Sequence, residues 1–144
     1  MRKWKLKNGY ELIKVLGLRC YTFLLTTEKG NILIDTGRKN RREDLLNNIK
    51  RIKTPKPGID FLIVTHSHFD HCENAAYLQT VTECKIIMSE KEKEYAEKGQ
   101  LYVPANMKTI AGKISTIVSN LGKYEPFMPD ITFNGNFSLK AYGF

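Results

Sequence analysis

The side chains best suited to chemistry in this 144-residue sequence lie in one short segment, from Thr65 to His71. It contains all three histidines, His66, His68 and His71, together with the carboxylate of Asp70. If the backbone is extended there, His66 and His68 project to the same side, because side chains two residues apart share a face. Imidazole and carboxylate groups are the ligands expected for zinc, manganese or iron. The segment therefore predicts a metal site.

The strand that precedes this segment gives the site its expected place in the fold. Residues 61–64 are apolar without alternation, which predicts a central strand covered on both faces. The histidines begin where this strand ends, and α/β sheets place their ligand crevices at the carboxyl ends of strands. Asp70 and His71 then lie where the chain turns into the next helix, so they can approach a second metal ion beside the first.

The spacing His-x-His-x-Asp-His after an apolar strand resembles the signature of the metallo-β-lactamase superfamily. The resemblance extends upstream, where residues 31–37 look like the family's earlier motif, an apolar strand that ends in Asp35 and then glycine. It implies that Asp35 lies near the metal ligands and orients them without binding the metal itself. The alternative is that Asp35 only caps the turn with Thr36 and Gly37, and both roles are compatible.

The resemblance also implies a division of roles within the site. His66 and His68 would hold the first metal ion, and Asp70 and His71 would belong to the second. Asp70 would be catalytic as well, by orienting a bridging hydroxide. Zinc is the expected metal, as one or two ions, and manganese or iron would also suit the ligands. The implied reaction is hydrolysis of a small ester, thioester, lactone or related substrate without a serine or cysteine nucleophile.

The rest of the family's ligand set has no counterpart in this sequence. No histidine follows His71, whereas the family completes each metal with later residues. The resemblance therefore implies an α/β fold that is the N-terminal half of an αββα sandwich, with a mixed sheet, flanking helices and a single truncated domain over residues 1–144. The inner face of such a half sheet would be exposed, which predicts self-association or a complementary chain.

Hydrophobic patterning predicts the elements that lead to the site. β-Branched and aromatic residues predict strands, and residues 28–31 predict a turn, so the chain should open as an antiparallel meander. Between residues 45 and 52 apolar side chains recur at helical spacing, which predicts an amphipathic helix. The predicted strands of this part cover residues 11–17, 20–27 and 32–34.

After the histidines the pattern alternates between helix and strand, which favours a layered α/β fold. Residues 73–79 predict a short helix, and residues 84–88 predict another buried strand. Ser89 and Glu92 match a capping box, in which each side chain bonds the backbone of the other, and they should open a charged helix.

Two further elements are predicted in the last third of the chain. One apolar stripe over residues 107–121, with Asn106 as its cap, predicts a helix. The dipeptide Asn134-Gly135 separates residues 131–133 from residues 137–139, and this pattern predicts a β-hairpin.

Composition narrows the remaining possibilities. The net charge of +8 is spread over several segments, so nucleic acid is not the expected partner. Three cysteines without paired spacing predict reduced thiols. Cys72 is a soft ligand in principle, but the start of a helix should point it elsewhere, and Asp130 and Glu125 are expected to be surface residues. No signal peptide or membrane span is recognisable, and a cytoplasmic protein with a small-molecule substrate is expected.

Three functions remain open at this stage. The leading hypothesis is a metal-dependent hydrolase whose full activity needs the missing ligands. The second is a catalytically inactive half-domain that binds metal weakly and acts through a partner. The third, suggested only by the net charge, is a relative of nucleases, which salt-dependent binding of RNA or DNA would reveal.

Overall fold

The computed structural model describes residues 1–17, 20–101 and 122–144. Within them the chain forms one seven-stranded sheet in which the strands follow one another in chain order. The strands are β1 (Lys3–Lys5), β2 (Glu11–Leu16), β3 (Thr22–Thr26), β4 (Asn31–Ile34), β5 (Phe61–Ile63), β6 (Lys85–Ser89) and β7 (Ile131–Phe133).

The sheet is mixed, as predicted. Strands β1 to β4 are antiparallel, which confirms the opening meander. From β4 onward each pair is parallel, with Leu33 beside Leu62 and Leu62 beside Ile86. Parallel strands need crossovers, and the helices between them supply these. The carboxyl ends of β4, β5 and β6 therefore meet at one edge of the sheet.

Four α-helices lie in the described residues. The predicted amphipathic helix is present as α1, with the predicted position Leu45 fully buried. The helix predicted over residues 73–79 is wrong in its boundaries, because one helix ends at Cys72 and the next begins only at Ala75. The helices are α1 (Arg42–Lys50), α2 (Phe69–Cys72), α3 (Ala75–Thr82) and α4 (Glu90–Lys98).

The two faces of the sheet bury different sets of residues, because alternate residues of a strand point to opposite faces. One face packs against the helices, and Leu33, Leu62 and Ile86 are fully buried there. The other face buries Ile32, Phe61 and Ile87. Carboxyl-terminal side chains lie over this second face, and the ones packed against it are Phe133, Phe137, Leu139 and Phe144.

The hairpin predicted around Asn134-Gly135 is wrong. Only its first half is a strand, β7, and it pairs in parallel with β6 rather than with a following strand. Residues Leu139–Tyr142 form a 3₁₀ helix instead. The aromatic rings explain the difference, since Phe137 stacks on Phe133 at 5.1 Å, and Phe144 packs edge-on against Phe61 at 5.7 Å. Burial on the sheet outweighs the local turn preference.

Two other expectations concern helices. The helix predicted over residues 107–121, with its Asn106 cap, lies outside the described residues. Among the residues that the structure describes, no helix is long and apolar enough to cross a membrane.

The core makes a direct prediction for stability. Leu62 lies in the middle of the sheet and is fully buried, so Leu62→Ala should lower the free energy of unfolding by about 2–5 kcal/mol. Val81 is 51% exposed on α3, and Val81→Ala should change it by less than about 0.5 kcal/mol. Chemical denaturation would measure both, and equal effects would contradict the position of β5.

Candidate metal centre

Three segments, each following a strand, build the candidate centre at one edge of the sheet. Asp35 follows β4 directly, and the histidine segment follows β5. Helix α4 begins immediately after β6 without an intervening loop. Because the three strands are parallel neighbours, the sheet itself brings these segments together.

The structure brings the three histidines together. The ring centroids of His66 and His68 are 4.5 Å apart, and those of His66 and His71 are 4.0 Å apart. All three histidines are partly exposed to solvent at this edge of the sheet. In the part of the chain that the structure describes, possible ligand atoms of Cys20, Asp35 and His71 lie within 4.8 Å of one another, and the rings of His66 and His68 lie beside His71 in this group.

The carboxylate of Asp35 is the buried anchor of the centre. Asp35 is only 4% exposed, and it accepts hydrogen bonds from the backbone N–H of Thr65 at 2.9 Å and from its hydroxyl at 2.9–3.0 Å. Its other contact is the Nδ1 of His71 at 2.8 Å. Asp35 also has a φ of +57°, a left-handed conformation that aspartate adopts more readily than most residues. The hydrogen bonds of this side chain thus go to the histidine segment, where they orient a predicted ligand, and its turn is set by the backbone conformation.

The hydrogen bonds of Thr65 and Asp35 determine which ring nitrogen of His66 and of His71 carries a hydrogen. The Thr65 hydroxyl has one hydrogen, and the carboxylate of Asp35 can only accept it. The Nδ1 of His66 lies 2.9 Å from that hydroxyl oxygen, so His66 donates there. His71 likewise donates from Nδ1 to Asp35. Both rings therefore present Nε2 as the nitrogen left for a metal ion.

The surroundings shift the pKa values of these two histidines in opposite directions. Burial, followed by the positive charges of His71 and His68, lowers the pKa of His66. The hydrogen bond to Asp35 raises the pKa of His71 to about 10 in the metal-free chain. Imidazole must be neutral to bind a metal ion, so a metal at His71 would take the place of a proton.

A second network joins the loop after β4 to the histidine segment. The backbone N–H and hydroxyl of Thr36 donate to the carbonyl of His71 at 2.7 and 3.0 Å. The side-chain amide of Asn74 donates to the carbonyls of Thr36, Gly37 and Arg38 at 3.1–3.2 Å. These bonds hold Asn74 just before the first residue of α3. They also fix the position of the loop after β4 relative to the histidine segment.

Asp70 lies on α2, one residue before His71, and faces a cavity of about 340 Å³ beside the histidines. Cys20 also lines the cavity, and its thiol is 3.5 Å from the Nδ1 of His71. Sequence reasoning missed Cys20, because it lies in the connection between β2 and β3, far from the histidines in sequence, and belongs to no motif. Guanidinium and amide groups complete the polar lining, from Arg38, Asn40 and Arg41.

Glu92 has a different partner from the one its capping-box pattern predicts. Ser89 does precede α4, but its side chain makes no capping hydrogen bond. The carboxylate of Glu92 accepts instead from the backbone N–H and hydroxyl of Ser67, at 2.8 and 2.6 Å. Ser67 is the fully buried residue between His66 and His68. The predicted capping box is therefore wrong in its partner, although the helix it predicts is present.

The donor set fits a divalent ion of the zinc class. Three neighbouring imidazoles and the buried carboxylate of Asp35 are donor types that zinc, manganese and iron prefer. Cys72 lies apart from this set, because it is 1% exposed and its thiol donates to the carbonyl of His68. Burial raises the pKa of the Cys72 thiol, which favours a packed, protonated side chain.

Comparison with known sequences identifies the family. Residues 15–137 match the profile of the metallo-β-lactamase superfamily. The match covers most of the chain and includes Asp35 and all three histidines. The protein therefore belongs to the metallo-β-lactamase superfamily.

Known relatives share the fold of this chain over part of their own length. A metallo-β-lactamase from Cronobacter sakazakii is similar with a TM-score of 0.69 and 21% identity, covering 93% of this chain and 46% of that one. GOB-18 from Elizabethkingia meningoseptica is similar with a TM-score of 0.68 and 20% identity, covering 93% and 45%. An N-acyl homoserine lactonase from a Bacillus species is 29% identical, in a match that covers 62% of this chain and 44% of the lactonase.

The chain thus spans less than half the length of these three relatives. The shared portion contains the mixed sheet with its flanking helices, so the predicted fold class is confirmed. The covered shares fit the N-terminal half of the family domain. The hydrolase fold is therefore present over the described residues.

The stability of the metal-free chain should depend on the carboxylate of Asp35. Asp35→Ala removes the charged acceptor of the hydrogen bonds from Thr65 and His71 and should lower the free energy of unfolding by about 1–3 kcal/mol in chelator-treated protein. Asp35→Asn keeps an oxygen for the same donors and should cost less. Chemical denaturation compares the two, and equal stabilities would show that Asp35 does not hold the loop.

Proposed function

We propose that this chain supplies the histidine-bearing half of the metal site of a hydrolase that acts on a small ester, thioester, lactone or related substrate. The observation that carries the proposal is the convergence of His66, His68 and His71, two of which have Nδ1 engaged and Nε2 left for a metal. Zinc is the proposed metal, as one or two ions, because imidazole is its usual nitrogen ligand. The cytoplasmic location expected from the sequence stays a prediction.

In this proposal each residue has a separate task. His66 and His68 bind one metal ion, while His71 and Asp70 bind a second. Asp35 holds His71 in the orientation that leaves its Nε2 for the metal. When bound, such ions supply Lewis acidity, which lowers the pKa of water and polarises the group under attack. Asp70, at the edge of the neighbouring cavity, orients the attacking water.

The class of substrate is proposed from two features. The lactonase relative hydrolyses a lactone according to its name, and it aligns with 62% of this chain. The cavity beside Asp70 has an apolar wall at Leu16 and a polar rim at Arg38 and Arg41. A small acyl substrate with a polar group beyond the scissile bond would fit both surfaces.

Full activity would need further ligands, which we propose come from a complementary chain or segment, or from self-association. The support is the share of the relatives that this chain leaves uncovered, which is more than half in each of the three described above. A complementary chain would meet the sheet on the face of Ile32, Phe61 and Ile87, where Ile34 and Ile63 remain partly exposed. No nucleic acid or membrane partner is invoked.

Zinc binding by variants gives a sharp test. His66→Ala and His68→Ala should each abolish tight zinc binding, because each removes a proposed ligand. Both residues lie in a loop that contributes little to the core. Circular dichroism should show the fold retained. Glu97→Ala, on the exposed side of α4, serves as the control and should bind zinc like the wild type. Unchanged zinc content in both histidine variants would overturn the site assignment.

Native mass spectrometry in the presence of zinc should be recorded first, because one spectrum reports metal stoichiometry and oligomeric state. Two zinc ions per chain or per assembly would support a completed site and justify a screen of esters and lactones. A metal-free monomer would instead favour the inactive half-domain.

A further inference from the structure

We propose that Glu92 is a positioning residue of the metal centre, which acts through Ser67 to hold His66 and His68 in place. This inference rests on the function proposed above. It assigns a role to a side chain outside the His-x-His-x-Asp-His segment, on a helix that follows the next strand of the sheet.

The contact between Glu92 and Ser67 has the geometry of a specific anchor. A single oxygen of the carboxylate accepts two hydrogen bonds, from the Ser67 backbone N–H at 2.8 Å and from its hydroxyl at 2.6 Å. Both bonds are charge-assisted and therefore stronger than bonds between neutral groups. Ser67 is fully buried, so its N–H would be left without a partner if the carboxylate were removed.

The position of Ser67 carries the effect to the proposed ligands. The backbone bends at His66 and Ser67, so the contacts of each side chain show its direction, and the Ser67 hydroxyl donates to Glu92 of α4. Ser67 therefore points inward, toward α4, while His66 and His68 face the partly exposed edge. A shift of the Ser67 backbone would move both imidazoles, because each is joined to it by one peptide bond. Fixing Ser67 thus fixes the separation of the two rings.

Helix α4 is held firmly enough to serve as a support. Its first residue follows β6 directly, and Ala96 in its last turn is fully buried. At its other end, the N–H of Phe127 donates to the carbonyl of Ala96 at 3.2 Å, and the N–H of Tyr124 donates to the carbonyl of Gly99 at 3.2 Å. Sites supported by packed helices and strands are more precise than sites held by loops alone.

The surroundings of Glu92 also explain why a charged acceptor is tolerated there. Glu92 is only partly buried, and the imidazole of His66 is close enough for the two side chains to interact electrostatically. Tyr124 faces the same corner, and its hydroxyl donates to the carbonyl of Gln100 at 3.0 Å. Glu92 thus accepts hydrogen bonds from buried Ser67 on one side of the histidine segment, and Asp35 accepts hydrogen bonds on the other.

The experiment compares zinc affinities of three variants by competition with a chromophoric chelator. Glu92→Ala removes the acceptor and should weaken zinc binding by about 10–100-fold, the usual loss when a partner behind a ligand is removed. Glu92→Gln keeps an oxygen that can accept both bonds and should recover most of the affinity. Glu97→Ala removes the same charge from the exposed side of α4 and should bind zinc like the wild type.

The absorption spectrum of the cobalt-substituted proteins gives a second readout that is independent of activity. It should change in Glu92→Ala, because the ligand geometry changes, and should resemble the wild type in Glu92→Gln. Wild-type zinc affinity in Glu92→Ala would overturn the proposal. Equal losses in Glu92→Ala and Glu92→Gln would also overturn it, since they would assign the effect to charge rather than to position.

Two controls keep the result interpretable. If circular dichroism shows that Glu92→Ala is unfolded, Ser67→Ala replaces it as the deciding variant, since it removes only the hydroxyl bond. It should bind zinc more weakly than the wild type, and wild-type affinity would overturn the proposal. A wild-type chain that binds no zinc would instead overturn the proposed function itself, which is a different result from a variant that binds as well as the wild type.

Discussion

The buried carboxylate of Asp35 is the constraint on which the arrangement of the site depends. A carboxylate that is removed from water needs partners, and here the backbone N–H and hydroxyl of Thr65 and the ring of His71 supply them. Meeting that requirement fixes where the chain turns after β4 and where the histidine segment begins. The left-handed φ of Asp35 is tolerated because these partners hold it there.

The site is consequently supported from both sides of the histidine segment. Asp35 holds the segment at Thr65 and His71, and Glu92 holds it at Ser67. Each supporting residue directly follows a strand or lies in a helix attached to one. The ring positions therefore derive from the hydrogen-bonded spacing of parallel strands, which varies much less than the conformation of a loop.

Much of this arrangement was predictable from local patterns. The spacing of the histidines, the apolar run before them and the Asp-Thr-Gly turn all lie within short windows, so the sequence displays them directly. Cys20 and the bond between Glu92 and Ser67 were not predictable, because they depend on which strands become neighbours. Ser89 and Glu92 match a capping box, yet the carboxylate of Glu92 accepts from the buried N–H of Ser67 instead of from the helix terminus.

The sequential order of the strands has a consequence for how the centre forms during folding. Each strand pairs with the one before it, so the sheet can grow by adding one neighbour at a time, through short connections up to β4 and through longer crossovers from β4 onward. Asp35 and Thr65 meet once β5 has joined β4, whereas Ser67 gains its acceptor only after β6 and α4 have docked. A nascent chain would therefore display its histidines before their last support is in place.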